Sequence, residues 1–347
     1  MVKIILLAHA ISAVRPSIYA GILPTWISGS VFWPYFAGAV VSAFGLPPVL
    51  KDVSRAHGFD RIPPFGRLFL AVPMAVFGAQ HFTAAIFVAR LVPSWIPWHL
   101  FWTYFVGVAL ISAALSIVTG KHARLAAGLL AIMLCLFVAL MHIPALASDP
   151  HDRIRLAVAL RDLAFSGGAL ALLGTGAETS RARATNGIVT VARFLLAIPV
   201  LVFALEHLLH PGFAPGVPLS KVTPAWIPAR FFWSYLTAAV FIPAGFALVV
   251  KKQARLAASG VGIVVLLLVL FVYLPILVAS PADIANGLNY LVDTLALSGS
   301  AFALAAALPK PHPSLADGRE QRVKTAIGAG QDSAAYEGPE RNPRAWS

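Results

Sequence analysis

Eight apolar runs, each near the length a helix needs to cross a bilayer, dominate this chain: roughly 67–89, 99–119, 125–146, 156–175, 193–210, 231–250, 256–278 and 286–308. A segment in lipid must satisfy its own backbone hydrogen bonds, and no alternating barrel pattern is present. Each run is therefore expected to be a helix through roughly 30 Å of hydrocarbon. Hydrophobic residues make up 59% of the 347 and charged ones only 12%, a balance foreign to a water-soluble domain of this size. The predicted fold class is all-α: a polytopic transmembrane helical protein.

The runs fall into two sets of four. Arg67-Leu-Phe-Leu-Ala-Val-Pro73 returns as Arg193-Phe-Leu-Leu-Ala-Ile-Pro199, 126 positions on. Pro93-Ser-Trp-Ile-Pro97 with Phe101-Trp-Thr-Tyr104 returns as Pro224-Ala-Trp-Ile-Pro228 with Phe232-Trp-Ser-Tyr235, and Lys121-His-Ala-Arg-Leu-Ala-Ala127 as Lys252-Gln-Ala-Arg-Leu-Ala-Ala258, both 131 positions on. The second copy thus carries a five-residue insertion in its first loop, 131 against 126. Such self-similarity is an internal duplication. Four spans is an even number, so both copies enter from one side as parallel repeats, related by an approximate two-fold axis along the membrane normal. The expected division is a helix pair at 1–50, a cytoplasmic linker at 51–66, a first four-helix repeat at 67–178, a linker at 179–190, a second repeat at 191–308 and a disordered cytoplasmic tail at 309–347.

The first fifty residues read as half a third copy. Ile22-Leu-Pro-Thr-Trp-Ile27 and Phe32-Trp-Pro-Tyr-Phe-Ala-Gly38 resemble Leu91-Val-Pro-Ser-Trp-Ile96 and Phe101-Trp-Thr-Tyr-Phe-Val-Gly107 at a constant offset of 69. A cleaved leader is the alternative, but a leader has no reason to repeat those aromatics. From Pro309 the chain loses its apolar periodicity, too little to offset the entropy of ordering.

The net charge of +12 lies in short clusters between apolar runs, which argues for membrane topology and against nucleic acid. Placing the start of the first copy in the cytoplasm puts Lys51, Arg55, Arg61, Arg67, Lys121, Arg124, Arg181, Arg183, Arg193, Lys251, Lys252, Arg255 and Lys310 there. Only Arg90, Arg153, Arg155, Lys221 and Arg230 fall on the other side, as the positive-inside rule demands. The tail is then cytoplasmic. Cys135 is the one cysteine, so no disulfide or thiolate metal site forms within one chain, and no metal-binding set is expected.

Polar groups kept in both copies are the candidate site. Gln80-His81 and Glu206-His207 are matched, each histidine eight residues after a proline that frees the carbonyl of Phe69 or Leu195 and bends the helix. Such a histidine is equipped to relay protons, orient a quinone carbonyl or ligate metal. An interfacial side chain bonded to loop carbonyls is the plainer reading, and both stay open. Asp162 and Asp293 are matched and each precedes a small-residue patch, Ser166-Gly-Gly168 or Ser298-Gly-Ser300, whose simplest use is close helix approach. A carboxylate in a membrane helix costs several kcal/mol unless paired or facing a cavity; Arg161 beside the first is read as free to snorkel instead of pairing. His142 matches Tyr273, a swap that argues against metal there. Trp95, Trp102 and Tyr104 match Trp226, Trp233 and Tyr235; an interfacial belt accounts for most of this, while their fixed spacing suggests a capping loop and the lining of a pocket for a flat apolar ligand.

Taken together, the Gln-His or Glu-His pair, the Trp-Ile-Pro loop, Phe-Trp-x-Tyr, the Lys-x-Ala-Arg-Leu-Ala-Ala turn and the Pro-x-Asp loop before a Gly-rich last helix resemble the DoxX-like family of bacterial membrane proteins. Residues 65–308 would hold two such units, against the family's usual one. The resemblance implies a bacterial inner-membrane protein and a possible quinone ligand, since the family includes a quinone-reducing thiosulfate oxidoreductase subunit and partners of sulfur or oxidative-stress enzymes. It supplies no catalytic signature to carry over. The readings it leaves are a redox-linked subunit holding an apolar carrier between helices with a membrane or cytoplasmic redox partner, a permease using Asp162 and Asp293, or a scaffold for partner enzymes.

Overall fold

The computed structural model describes residues 29–175 and 182–309. The apolar stretch near the N-terminus, the Trp-Ile motif at residues 26–27 and the tail beyond Pro309 lie outside them. Nine helices among the described residues are long and apolar enough to cross a membrane, and the chain is an integral membrane protein. They are α1 (Phe32–Arg55), α2 (Gly66–Thr83), α3 (His99–Thr119), α4 (Ala123–Ser148), α5 (Arg153–Gly174), α6 (Ala182–Leu209), α7 (Arg230–Val250), α8 (Ala254–Ala279) and α9 (Ile284–Ala307). Helix α6 begins well before its apolar run, so much of the linker expected at 179–190 is helical. Helix α1 runs through Pro47 and Pro48.

The offset of 131 governs backbone as well as sequence. Helix α3 maps onto α7 and α4 onto α8, end for end. Three left-handed residues recur in register: Trp98 (φ 58°) with Ala229 (52°), Gly120 (78°) with Lys251 (62°), and His122 (53°) with Gln253 (51°). At the second of these places one copy uses glycine, for which positive φ carries no penalty, and the other accepts it with a lysine. Both copies also widen into a π turn late in the third helix, Val138–His142 and Val269–Tyr273. Its cause is local: Pro144 and Pro275, two residues on, lack the N–H that an α turn would use there. Asp152 and Asp283 cap the fourth helices, accepting from Ile154 and Arg155 N–H or from Asn286 N–H, a contribution of about 1 kcal/mol each.

The copies interlock. Helix α2 packs along α9 and α6 along α5, so each first helix lies against the last helix of the other copy, and α5 and α9 pack together at the centre. Small residues permit it. A Cβ on Gly299 would sit 2.4 Å from Leu70 N and 2.9 Å from Phe69 O, the carbonyl that Pro73 leaves free. A Cβ on Gly167 would sit 2.9 Å from Ala192 O and 3.1 Å from Leu195 Cβ, and one on Gly168 2.5 Å from Ser300 Cα. Without a hydrophobic drive between helices in lipid, such close backbone contact supplies much of the association energy.

The end of the bundle rich in arginine is closed by those side chains. Arg193 donates to the carbonyls of Leu248 and Val249, and Arg255 to those of Ala305 and Leu308 (2.9 and 3.0 Å) and to Asp60 (2.6 Å). Arg67 pairs with Asp52 at 2.8 Å. Residues first read as topology signals therefore also satisfy the last carbonyls of helices.

Candidate functional site

At the opposite end, where the Trp-Ile-Pro loops lie, the five-residue insertion becomes a plug. Residues 214–219 are all buried within the helices of the second copy. The loop closes on itself through a bridge between Phe213 and Val222. Gly216 (φ 96°) donates its N–H to His207 Nε2 at 2.9 Å, and a Cβ there would lie 3.2 Å from Leu268 and from Thr294. Tyr273 donates its hydroxyl to Pro215 O, and Lys221 N–H donates to Tyr290 at 2.6 Å. Arg153 donates to Pro218 O (2.8 Å), Leu219 O (3.1 Å) and Glu206 (3.1 Å), with its guanidinium 4.0 Å above Phe213. Burial holds the Lys221 ammonium below its ordinary range, against the opposite pull of Asp283.

This geometry separates residues that are adjacent in sequence. Glu206 pairs with Arg153, while His207, fully buried, serves the loop and leaves Nδ1 without a hydrogen bond. In the first copy Gln80 donates to Asn289 Oδ1 at 2.6 Å, joining α2 to α9, and His81 Nδ1–H donates to Phe77 O at 2.8 Å, within its own helix. The two histidines thus do not share a site: one is tied to its own helix, the other to an inserted loop.

The matched aspartates do meet. Both are buried, Asp162 at 6% exposure and Asp293 at 2%. Arg161 Nε donates to Asp162 Oδ1 at 2.9 Å, and its Nη1 donates to Asp293 Oδ1 at 3.1 Å. Arg161 does not snorkel: it bridges the last helices of the two copies, because a guanidinium at this depth loses more by leaving two carboxylates unpaired than by remaining buried between them. His142, in the π turn of α4, donates from Nε2 to Asp162 Oδ2 at 2.8 Å. One turn along α5, Ser166 bonds Cys135 (3.0 Å) and Ala131 O (3.0 Å). The resulting network of one guanidinium, two carboxylates and one imidazole spans α4, α5 and α9. Arg161 and His142 were the members that residue matching between copies passed over, since Val292 and Tyr273 stand at their places in the second copy.

The aromatic set stands apart from this network. Trp95, Trp102, Tyr104, Trp226 and Tyr235 are exposed on the outer surface, Trp95 at 66% and Trp226 at 54%. Trp233, partly covered, donates to Pro228 O at 3.2 Å and stacks on Phe271 at 5.8 Å. They are not gathered around one pocket; the interfacial-belt reading fits their placement. Tyr104 alone approaches a hollow, stacking at 5.6 Å on Phe82. Phe82 lines an open groove of about 540 Å³ between α1, α2 and α3, bounded also by Trp33, Phe36, Ala37, Ala79 and Ile111.

Among the described residues no three His, Cys, Asp or Glu side chains gather as metal ligands. Set against models of known families, curated proteins and solved structures, the chain matches none of them.

Proposed function

We propose that the protein is a DoxX-like membrane protein that accepts an apolar carrier of the quinone class from the bilayer into the groove between α1, α2 and α3. One observation carries the reading: a hollow of about 540 Å³, almost wholly apolar and flanked by Trp33, Phe36 and Phe82. That volume lies in the range of small-molecule sites, and flat aromatic walls suit a ring with an isoprenoid chain. Thr83 in the lining adds a hydroxyl for a ring carbonyl. The proposed setting is a bacterial inner membrane with the tail on the cytoplasmic side.

A second reading, a non-catalytic scaffold for partner enzymes, is favoured by a different observation: Asp162, Asp293, Glu206 and Gln80 all find partners inside the protein. One experiment separates the two. Full-length protein in nanodiscs is titrated with a short-chain ubiquinone while tryptophan quenching is followed, beside Ala37→Phe, which fills the groove. Saturable binding that Ala37→Phe weakens at least tenfold supports the carrier reading. Quenching equal to that of empty nanodiscs with added free tryptophan, or unchanged by Ala37→Phe, refutes it in favour of the scaffold.

A further inference from the structure

We propose that Arg161, Asp162, Asp293 and His142 form a binding site for one proton, entered from the Trp-Ile-Pro end through His142. This network lies apart from the carrier groove, and its charges do not balance. One guanidinium balances one acid, and Asp162, its neighbour on α5, already lies at 2.9 Å. Asp293, at 3.1 Å from the same guanidinium, adds a second carboxylate with no cation of its own. With a neutral imidazole the network carries one surplus negative charge within the bundle. It becomes neutral when a single proton is added, either on His142 or between the carboxylates. A lone charge in a membrane interior is far costlier than a neutral hydrogen-bonded set, so the arrangement is built to hold that proton.

Access is also graded. Asp293 is the innermost member, its side chain 3% exposed, while His142 is 16% exposed and sits in the widened turn of α4 near the Trp-Ile-Pro end. A proton arriving there converts the imidazole to imidazolium, whose Nε2–H keeps its bond to Asp162 Oδ2. The step is addition of one proton from the aqueous side and involves no redox partner. Tyr290 on α9 and Tyr273 on α8 are the other titratable groups within electrostatic reach of Asp293. They are phenols, neutral at ordinary pH, so they leave the count unchanged. Only one such site exists per chain among the described residues, because Val292 and Tyr273 replace Arg161 and His142 in the second copy.

The test is a pH titration of the full-length protein in nanodiscs by infrared difference spectroscopy, comparing wild type with Asp293→Asn and His142→Gln. Asp293→Asn leaves one acid per guanidinium and is expected to remove one titrating proton relative to wild type. His142→Gln is expected to move that proton onto the carboxylates, giving a protonated-carboxyl band and at least a tenfold change in apparent proton affinity. Wild-type and His142→Gln traces that superimpose overturn the proposal, and this comparison decides the matter if Asp293→Asn does not accumulate. Displacement of the proton by sodium at constant ionic strength overturns it too, since the site would then select a cation by charge alone.

Discussion

Arg161→Met is the sharpest test of what the central network does for stability. The substitution keeps an apolar stem but strands two carboxylates, Asp162 and Asp293, at 6% and 2% exposure. Removing one partner from a buried ion pair costs about 3–5 kcal/mol, and here the lost group serves both acids. Two effects pull the figure down: His142 still holds Asp162 at 2.8 Å, and embedded helices find substitute partners even when unfolded in the membrane. A loss of about 3 kcal/mol is therefore expected, read from unfolding by sodium dodecyl sulfate followed through tryptophan fluorescence. The triple variant Arg161→Met, Asp162→Asn, Asp293→Asn has no charge left to strand and is expected to recover most of that loss. A single variant within about 0.5 kcal/mol of wild type, the size of an ordinary surface change, would refute the reasoning. So would a triple variant as unstable as the single one.

Other predictions follow from the contacts. Gly299→Ala must push α9 from the α2 backbone, where a Cβ would lie 2.4 Å from Leu70 N, and is expected to cost about 1–3 kcal/mol in the same unfolding assay. Gly187→Ala, with nothing within 4 Å, is expected to be neutral or to stabilise by about 0.5–1 kcal/mol through helix propensity; equal effects would argue against the interlocked packing. Arg153→Met removes the donor to Pro218 O, Leu219 O and Glu206, so amide hydrogen exchange at Ala214, Gly216, Val217 and Leu219 should rise while that of α3 stays unchanged. Reporters fused after Lys121 and after Lys252 should lie on the same side of the membrane, and opposite sides would exclude parallel repeats.

Helices, their number in the two copies and their close approach through Gly167, Gly168 and Gly299 were all legible in the sequence, because apolar length and small-residue patches are local signals. The left-handed turns at Trp98 and Ala229 were not, since neither residue favours positive φ; only the recurrence at 131 identifies them as features of the module. The exchange of first helices between copies was likewise hidden. Apolar faces of α2 and α6 do not name a neighbour, and the pairing shows only in the close approaches at Gly299 and Gly167. At the site, matching the copies found Asp162 and Asp293 but missed their bridge. A duplicated residue is conspicuous by its twin, whereas Arg161 and His142 act once and have none.

That distinction explains how a duplicated bundle comes to be asymmetric. Two identical copies around a two-fold axis would place two arginines and two aspartates at the centre, a neutral set needing no proton. Here position 292 is valine and position 273 is tyrosine, so the second copy contributes an acid without a base. Tyr273 bonds Pro215 of the buried loop at residues 214–219, as His207 bonds Gly216, while Val292 lies in an apolar cluster with Val76 and Leu288. The second copy thus differs from the first in two places, the inserted loop and the missing base. The loop closes the second copy with backbone carbonyls and aromatic rings, and valine at 292 leaves Asp293 dependent on Arg161 across the interface. Replacing Val292 by arginine tests this directly: if the asymmetry is what leaves the surplus charge, Val292→Arg should supply the missing cation and abolish the titrating proton while Asp293 remains in place. A proton that still titrates in Val292→Arg, in a protein that unfolds no more readily than wild type, would show that the surplus charge does not arise from the loss of that base.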